Sequence, residues 1–210
     1  MIHVLIADDH EVVRRGLKDI LESERGMRVV AEAASGTEAI TLARKTRLDA
    51  IVLDISMPGM SGLDVLKELK TICPDVPVLI LSIYPEEQYA IRVLKAGAAG
   101  YLTKDAAPEE LVAAVRRVIS GRKYVSPTLA ERLARELEEG TDKQPHERLS
   151  DREFQLLLMI ARGRTVGEIA IELSLSVKTV STYRSRVLEK TGMRNNAEIM
   201  RYVMERNLLD

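Results

Sequence analysis

Asp8 and Asp9, Asp54, Ser82 and Lys104 each stand at or just past the end of a short apolar run. Those runs are residues 3–7, 50–53, 78–81 and 100–102. If the runs are parallel strands, these side chains all reach one edge of a sheet. Carboxylates that close raise one another's pKa unless a cation intervenes. Hard oxygen donors of this kind suit Mg2+, which keeps several waters and takes one or two carboxylates. A hydroxyl and an ammonium added to such a pocket suit an incoming phosphoryl group. One carboxylate would be the nucleophile, with the metal and the lysine on the charged oxygens. An isolated strand-end Asp more often caps a turn or helix, Ser82 alone is an ordinary strand-end hydroxyl, and Lys104 alone is an ordinary surface charge. The combination carries the reading.

The elements that would position these residues follow from the hydrophobic pattern. A further apolar run lies at residues 29–33, and all of these runs are rich in Val, Ile, Leu or Ala and bounded by turn residues or charge. They read as strands buried on both faces. Helical periodicity occupies residues 12–23, 37–45, 62–71, 86–96 and 108–120. Strand alternating with helix predicts a parallel sheet with helices on both sides. Such sheets bind ligands at the carboxyl ends of their strands, where the strand order reverses. After Gly121 the alternation stops. Residues 126–139 form a charged helical stretch, and residues 140–145 are polar, breaker-rich and hinge-like. From Leu149 onward the pattern is helical only. Ser150 with Glu153, and Thr165 with Glu168, have capping-box spacing. Ser176 is a candidate N-cap for a third helix, and Asn195 or Asn196 for a fourth.

Asp8-Asp9, the stretch Leu53-Asp54-Ile55-Ser56-Met57-Pro58-Gly59-Met60-Ser61-Gly62, Leu81-Ser82 and Lys104 together resemble the receiver domain of two-component response regulators. The resemblance covers residues 1–121. It implies a flavodoxin-like, doubly wound, five-stranded parallel sheet of order 2-1-3-4-5. It implies Asp54 as phospho-acceptor, and Mg2+ held by Asp9, Asp54 and the backbone carbonyl of Ser56, with Asp8 nearby. Lys104 would pair with the phosphoryl group and Ser82 would hydrogen-bond it. Tyr101 matches the family's switch aromatic; the competing reading is an ordinary half-buried tyrosine.

Residues 165–173, 174–176 and 177–191 read as helix, short turn and helix, the unit that places its second helix in the major groove. At ~100° per residue, Val177, Val180, Val187, Leu188 and Thr191 share one side. Lys178, Thr182, Ser185 and Glu189 lie opposite, flanked by Ser181 and Arg186. The spacing alone equally fits a plain amphipathic helix of a small bundle. The motif Leu149-Ser150-Asp151-Arg152-Glu153, Gly163, Glu168-Ile169-Ala170, Leu173, Ser176-Val177-Lys178-Thr179-Val180 and Tyr183-Arg184 resembles the LuxR-type, four-helix DNA-binding domain. That domain joins receivers in the NarL/FixJ class. The match spans residues 145–210, with residues 122–144 as a helical or flexible linker. It departs from the family at Tyr183, where His is frequent, and at Thr191-Gly192, where Leu-Gly is commoner. The resemblance implies DNA contacts from Lys178, Thr179, Ser181, Thr182, Tyr183, Ser185, Arg186 and Lys190. Arg184 lies toward the buried side, where it would brace Glu168 or reach a phosphate. Ile199, Tyr202 and Val203 offer a dimer contact on the last helix.

Composition bounds these expectations. The 210 residues carry a formal net charge of −1, so DNA binding must come from a local basic patch. Aromatics are 3%, with no Trp, which argues against stacking platforms for single strands. The lone Cys73 allows no intrachain disulfide and reads as a packing residue. No apolar run reaches the ~18 residues of a membrane span, and no leader pattern is read before the first strand. The expectation is a cytoplasmic transcriptional regulator that takes a phosphoryl group from a sensor histidine kinase. It would dimerise on activation and bind paired half-sites in promoter DNA. An enzyme of the Asp-nucleophile phosphatase type would need a substrate pocket and a second acid/base, and neither is read here. A regulator with a non-signalling receiver is the alternative, opposed by the complete acidic and lysine set. A small-ligand quorum-type regulator would lack the acidic residues at its N-terminal domain.

Overall fold

The computed structural model describes residues 1–138, 144–206 and 208–209. Part of the hinge read at residues 140–145 lies outside them. Two compact units are present, Met1–Arg132 and Leu133–Asp210.

The first unit alternates strand and helix: β1 (Ile2–Ala7), α1 (Glu11–Ser23), β2 (Met27–Ala33), α2 (Gly36–Lys45), β3 (Ala50–Asp54), α3 (Gly62–Ile72), β4 (Val78–Ser82), α4 (Glu86–Lys95), β5 (Gly100–Thr103) and α5 (Ala107–Ile119). The strands form one sheet of order β2-β1-β3-β4-β5, and every pairing is parallel. Pleating sends alternate residues to opposite faces. Val4, Ile6, Val52, Leu79, Leu81 and Leu102 pack with Leu17 and Leu21 of α1 and Leu111, Val115 and Val118 of α5. Leu5, Ile51, Leu53 and Ile80 point the other way and are equally buried. The central strands therefore have the two-faced burial expected of them. Strand β2 does not: it lies at the sheet edge and exposes Arg28, Val30 and Glu32 while burying Met27, Val29 and Ala33.

Register brings the chemistry together. Ala7 pairs with Leu53, and Asp54 with Leu81, so Asp8 leaves β1 level with the end of β3. Ser82 pairs with Thr103, which sets Lys104 one residue beyond, its N–H donating to the Ser82 carbonyl at 2.7 Å. Gly62 keeps the turn after Asp54 tight: a Cβ there would stand 2.5 Å from both the Cα and the carbonyl oxygen of Ile55.

Past α5 the chain returns along the free side of β5, where Tyr124 bridges Gly100 in parallel, and enters α6 (Pro127–Glu138). Leu129 is buried. The start of the segment read as a linker is thus built into the first unit.

The second unit holds a 3-10 turn (Pro145–Arg148) and helices α7 (Asp151–Ala161), α8 (Val166–Glu172), α9 (Val177–Thr191) and α10 (Asn196–Glu205). Ser150/Glu153 and Thr165/Glu168 form reciprocal capping boxes, satisfying N-terminal donors of α7 and α8. Ser176 and Asn195 cap α9 and α10. Phe154, Leu157, Leu158, Ile169, Leu173, Val180, Val187, Ile199 and Val203 are buried. The turn between α8 and α9 passes through Ser174 at φ 53°, and α9 stops at Gly192 in the left-handed region.

Candidate functional site

At the carboxyl edge of the sheet, ligand atoms of Asp8, Asp9, His10 and Asp54 lie within 4.8 Å of one another. Asp8 and Asp54 are buried, and Asp9 is half-buried. Lys104 Nζ stands 2.7 Å from both Asp54 Oδ2 and Asp8 Oδ2, but only the Asp54 contact has hydrogen-bond geometry. Asp54 Oδ1 accepts the Ser56 N–H at 2.8 Å, and Asp8 Oδ1 accepts the His10 N–H at 2.9 Å. Asp8 Oδ2 and Asp9 Oδ1 are buried and receive no hydrogen bond. Such oxygens, crowded on one edge, fit a hard divalent cation. Burial pushes the Asp54 carboxyl above the usual carboxylate range, against the opposing pull of Lys104. Burial alone would lower the Lys104 ammonium, but the Asp54 and Asp8 carboxylates outweigh it and raise its pKa.

Ser82 is fully buried, and its Oγ accepts the Tyr84 N–H at 3.0 Å. Tyr101 is fully buried rather than half-buried, and its Oη donates to the Tyr84 carbonyl at 2.7 Å. Burial pushes the Tyr101 phenol well up from its ordinary value. Ser82, the turn after β4 and Tyr101 thus form one hydrogen-bonded string. Sequence reasoning missed His10. Its ring nitrogen is 3.0 Å from Asp9 Oδ1 and 3.3 Å from Asp8 Oδ1, and its place directly after Asp8-Asp9 was the available signal.

On the helical unit, Lys178, Ser181, Thr182, Ser185 and Arg186 form an exposed stripe along α9, while Thr179 and Tyr183 are half-buried. Thr182 and Ser185 donate their hydroxyl protons to the Lys178 and Ser181 carbonyls at 3.0 and 3.1 Å, which leaves oxygen lone pairs facing outward. Several expectations are corrected. Lys190, 41% exposed, bonds the buried Glu153 at 2.6 Å, so a phosphate would have to compete with that brace to α7 for its ammonium. Arg184 bonds Asn196 Oδ1 at 2.7 Å, while Glu168 is taken by Thr165. Val177, read on the buried side, is 57% exposed because it sits in the first turn, ahead of the helix's contact with the bundle. Ile199 and Val203 are wholly buried in the unit's own core, and Tyr202 Oη pairs with the His146 ring nitrogen at 2.8 Å. Ile199 and Val203 therefore offer no open dimer surface, while Tyr202 is half-buried.

Residues 4–116 match the family described as response regulator receiver domain, and residues 147–203 that of bacterial regulatory proteins, luxR family. Response regulator UvrY of Escherichia coli (strain K12) is 39% identical over 209 residues, covering 99% of this chain and 96% of the relative. Response regulator GacA of Pseudomonas aeruginosa is 38% identical over 211 residues, covering 100% of this chain and 99% of the relative. Among solved structures, RcsB of Salmonella typhimurium superposes with a TM-score of 0.69 at 28% identity, over 97% of each chain. RcsB from Salmonella enterica serovar Typhimurium bound to promoter rprA in the presence of phosphomimetic BeF3- gives 0.65 at 27% identity, over 97% of this chain and 98% of that one. The fold, the acidic edge and these relatives agree: the chain belongs to the response regulators of the NarL/FixJ class, a receiver domain followed by a LuxR-type DNA-binding domain.

Proposed function

We propose that this response regulator is switched by phosphorylation of Asp54 and that the switch alters its affinity for promoter DNA. The observation that carries the reading is the Asp54 carboxylate, buried at the sheet edge, hydrogen-bonded to Lys104 and crowded by Asp8 and Asp9. A sensor histidine kinase is the donor. An Asp54 oxygen attacks the phosphorus of a phosphohistidine. The new acyl O–P bond forms as the N–P bond breaks, and the leaving imidazole takes a proton. Asp9, Asp54 and the Ser56 carbonyl, with Asp8 beside them, would hold Mg2+, which when bound neutralises charge on the transferring oxygens. Lys104 then exchanges its Asp54 partner for a phosphoryl oxygen, and the Ser82 hydroxyl donates to another. Beyond accepting and losing this group the chain turns over no separate substrate. Its place is the cytoplasm, where kinase and DNA meet; no helix among the described residues is long and apolar enough to cross a membrane.

DNA binding is assigned to the exposed stripe of α9, supported by the helix-turn-helix geometry and by the RcsB complex with promoter DNA. The active form is a homodimer on paired half-sites. Ile199 and Val203 are committed to the unit's own core and are not its contact surface.

The test is phosphate incorporation from a small-molecule phosphodonor with Mg2+. The expected product carries one phosphate that hydroxylamine removes, as it does an acyl phosphate, and Asp54→Asn carries none. A hydroxylamine-stable phosphate, or full labelling of Asp54→Asn, overturns the assignment.

A further inference from the structure

The turn after β4 is tied at both ends to groups that matter. Its first bond is Tyr84 N–H to Ser82 Oγ at 3.0 Å, and its second is Tyr101 Oη to the Tyr84 carbonyl at 2.7 Å. Two residues further on, Glu86 opens α4, and its carboxylate accepts a hydrogen bond from the Ser126 hydroxyl. Ser126 precedes Pro127, the first residue of α6, and its Oγ also accepts the Leu129 N–H at 3.1 Å. It is therefore the N-cap of α6, with proline at the favoured first position. The same residue closes the helix that leaves the first unit and reports the position of α4.

The chain just before Ser126 lies on the edge of the sheet beside Tyr101. Tyr124 N–H donates to the Ala99 carbonyl at 3.0 Å, and Tyr101 N–H donates to the Tyr124 carbonyl at 3.1 Å. Lys123 Nζ reaches the Ala98 carbonyl at 2.5 Å. Gly100 permits this approach, since a Cβ there would stand 2.6 Å from the Tyr124 carbonyl oxygen and 2.7 Å from its Cβ. An unpaired sheet edge readily accepts such a strand. The segment is tied to α5 as well, where Tyr124 Oη donates to the Glu110 carboxylate and Arg117 Nε donates to the Lys123 carbonyl at 2.8 Å, and the Glu86 contact adds a hold at its far end.

We propose that Glu86 and Ser126 form a latch that holds the segment before α6 against β5, and that recruitment of Ser82 by the phosphoryl group opens it. The inference rests on the phosphorylation reading above. Once the Ser82 hydroxyl turns to a phosphoryl oxygen, Tyr84 N–H loses its acceptor. The turn shifts, and Glu86, two residues on, moves away from Ser126. The bonds of Tyr124 to the sheet edge then loosen, and α6 is freed at its start. Ser126 and Glu86 are positioning residues: neither touches the phosphoryl group.

Hydrogen exchange at the Tyr101 and Tyr124 amides reads the latch directly, because both bond across the sheet edge. In the wild-type chain, Mg2+ with beryllofluoride as phosphoryl mimic should speed exchange at both by about tenfold, an opening of the local kind. Ser126→Asp keeps a good N-cap but sets a like charge against Glu86. It should exchange as fast without the mimic as wild type does with it. Adding Glu86→Lys to Ser126→Asp restores opposite charges and should return slow basal exchange. A merely structural loss at α6 would not be repaired by that second change. If Ser126→Asp exchanges within about twofold of wild type, or the charge-reversed pair does not recover, the latch is wrong. These two arms need no phosphate, so they fail or succeed separately from the phosphorylation reading. If wild type binds the mimic and the Tyr124 amide does not change, the link from Ser82 to the latch is overturned.

Discussion

The acidic edge of the receiver sheet and the outer face of α9 both carry charge, but they hold it in opposite ways. Asp8, Asp54 and Lys104 are withdrawn from water and touch one another, with 2.7 Å between the ammonium and each carboxylate. Lys178, Ser181, Thr182, Ser185 and Arg186 stand in solvent. In a region of low dielectric, removing one group strands its partners, so the site acts as a unit. In water each group is screened and nearly independent. Deletions at the edge should therefore be large and non-additive in the free protein, whereas deletions on α9 should be silent until DNA is present.

The largest expected effect follows at Lys104. Lys104→Met removes the ammonium that stands 2.7 Å from both the buried Asp8 and Asp54 carboxylates. The cost should be roughly 3–5 kcal/mol of folding stability in chelator, and Mg2+ should recover part of it by binding the native state. Denaturant unfolding with and without Mg2+ measures both. A variant as stable as wild type in chelator breaks the contrast, because the edge would then not be a coupled unit.

The edge was legible because strand ends are. Short Val/Ile/Leu runs fix where a strand stops, and parallel register does the rest, so Asp8, Asp54, Ser82 and Lys104 meet where the pattern put them. The caps at Ser150, Thr165, Ser176 and Asn195 were legible for a similar reason, since each is a local hydrogen bond. What the sequence hid depends on neighbours distant in the chain. Helical spacing places Ile199 and Val203 on one face, but only the packing of α10 on α7 shows that this face is core. Lys190 is on the outer side of α9 by periodicity, yet Glu153 lies 37 residues away and claims it. The two-faced burial expected of β2 failed because edge position, not composition, decides which strands see water.

Acid titration gives an intermediate effect and sharpens the comparison, because two buried carboxyls respond with opposite signs. Burial would raise Glu153, but the Lys190 and Ser150 bonds prevail and hold it below its ordinary value. Its contribution to stability is present above the unfolded pKa and is lost as pH falls through the folded one. Asp54 is raised, so its contribution is present below the unfolded pKa and is lost as pH rises through the folded one. Glu153→Gln should flatten the loss of stability on acidification, and Asp54→Asn should steepen it. Glu153→Ala at neutral pH should cost about 1–2 kcal/mol, the size of a lost cap, since the stranded Lys190 is 41% exposed and returns to water. Chemical denaturation across the acid range checks all three variants. Parallel pH curves for the two isosteric variants would remove the distinction.

The smallest effects belong to α9, and they should divide by chemistry. Lys178 is an exposed ammonium in the first turn, suited to a phosphate, where it adds affinity without sequence information. Lys178→Ala should weaken specific and scrambled sites alike and reduce the salt slope by about one unit. Lys190→Ala should barely change that slope, because a phosphate must compete with Glu153 for its ammonium. Ser185 and Thr182 already donate their protons to the helix backbone, so they present acceptors that suit the exocyclic amines of cytosine or adenine. A single hydroxyl contact of this kind discriminates less than a bidentate pair, worth ~1–3 kcal/mol, so Ser185→Ala should shift base preference only a few-fold and leave the salt slope alone. Val177, apolar and exposed in the first turn of α9, suits a thymine methyl group, and Val177→Ala should lower preference for thymine without touching the slope. Binding to specific, single-substituted and scrambled duplexes across a salt series separates these outcomes. If Ser185→Ala changes the slope while Lys178→Ala changes only base preference, the two sets have been assigned the wrong way round. The outer face of α9 would then be coupled through DNA in the way the acidic edge is coupled through burial.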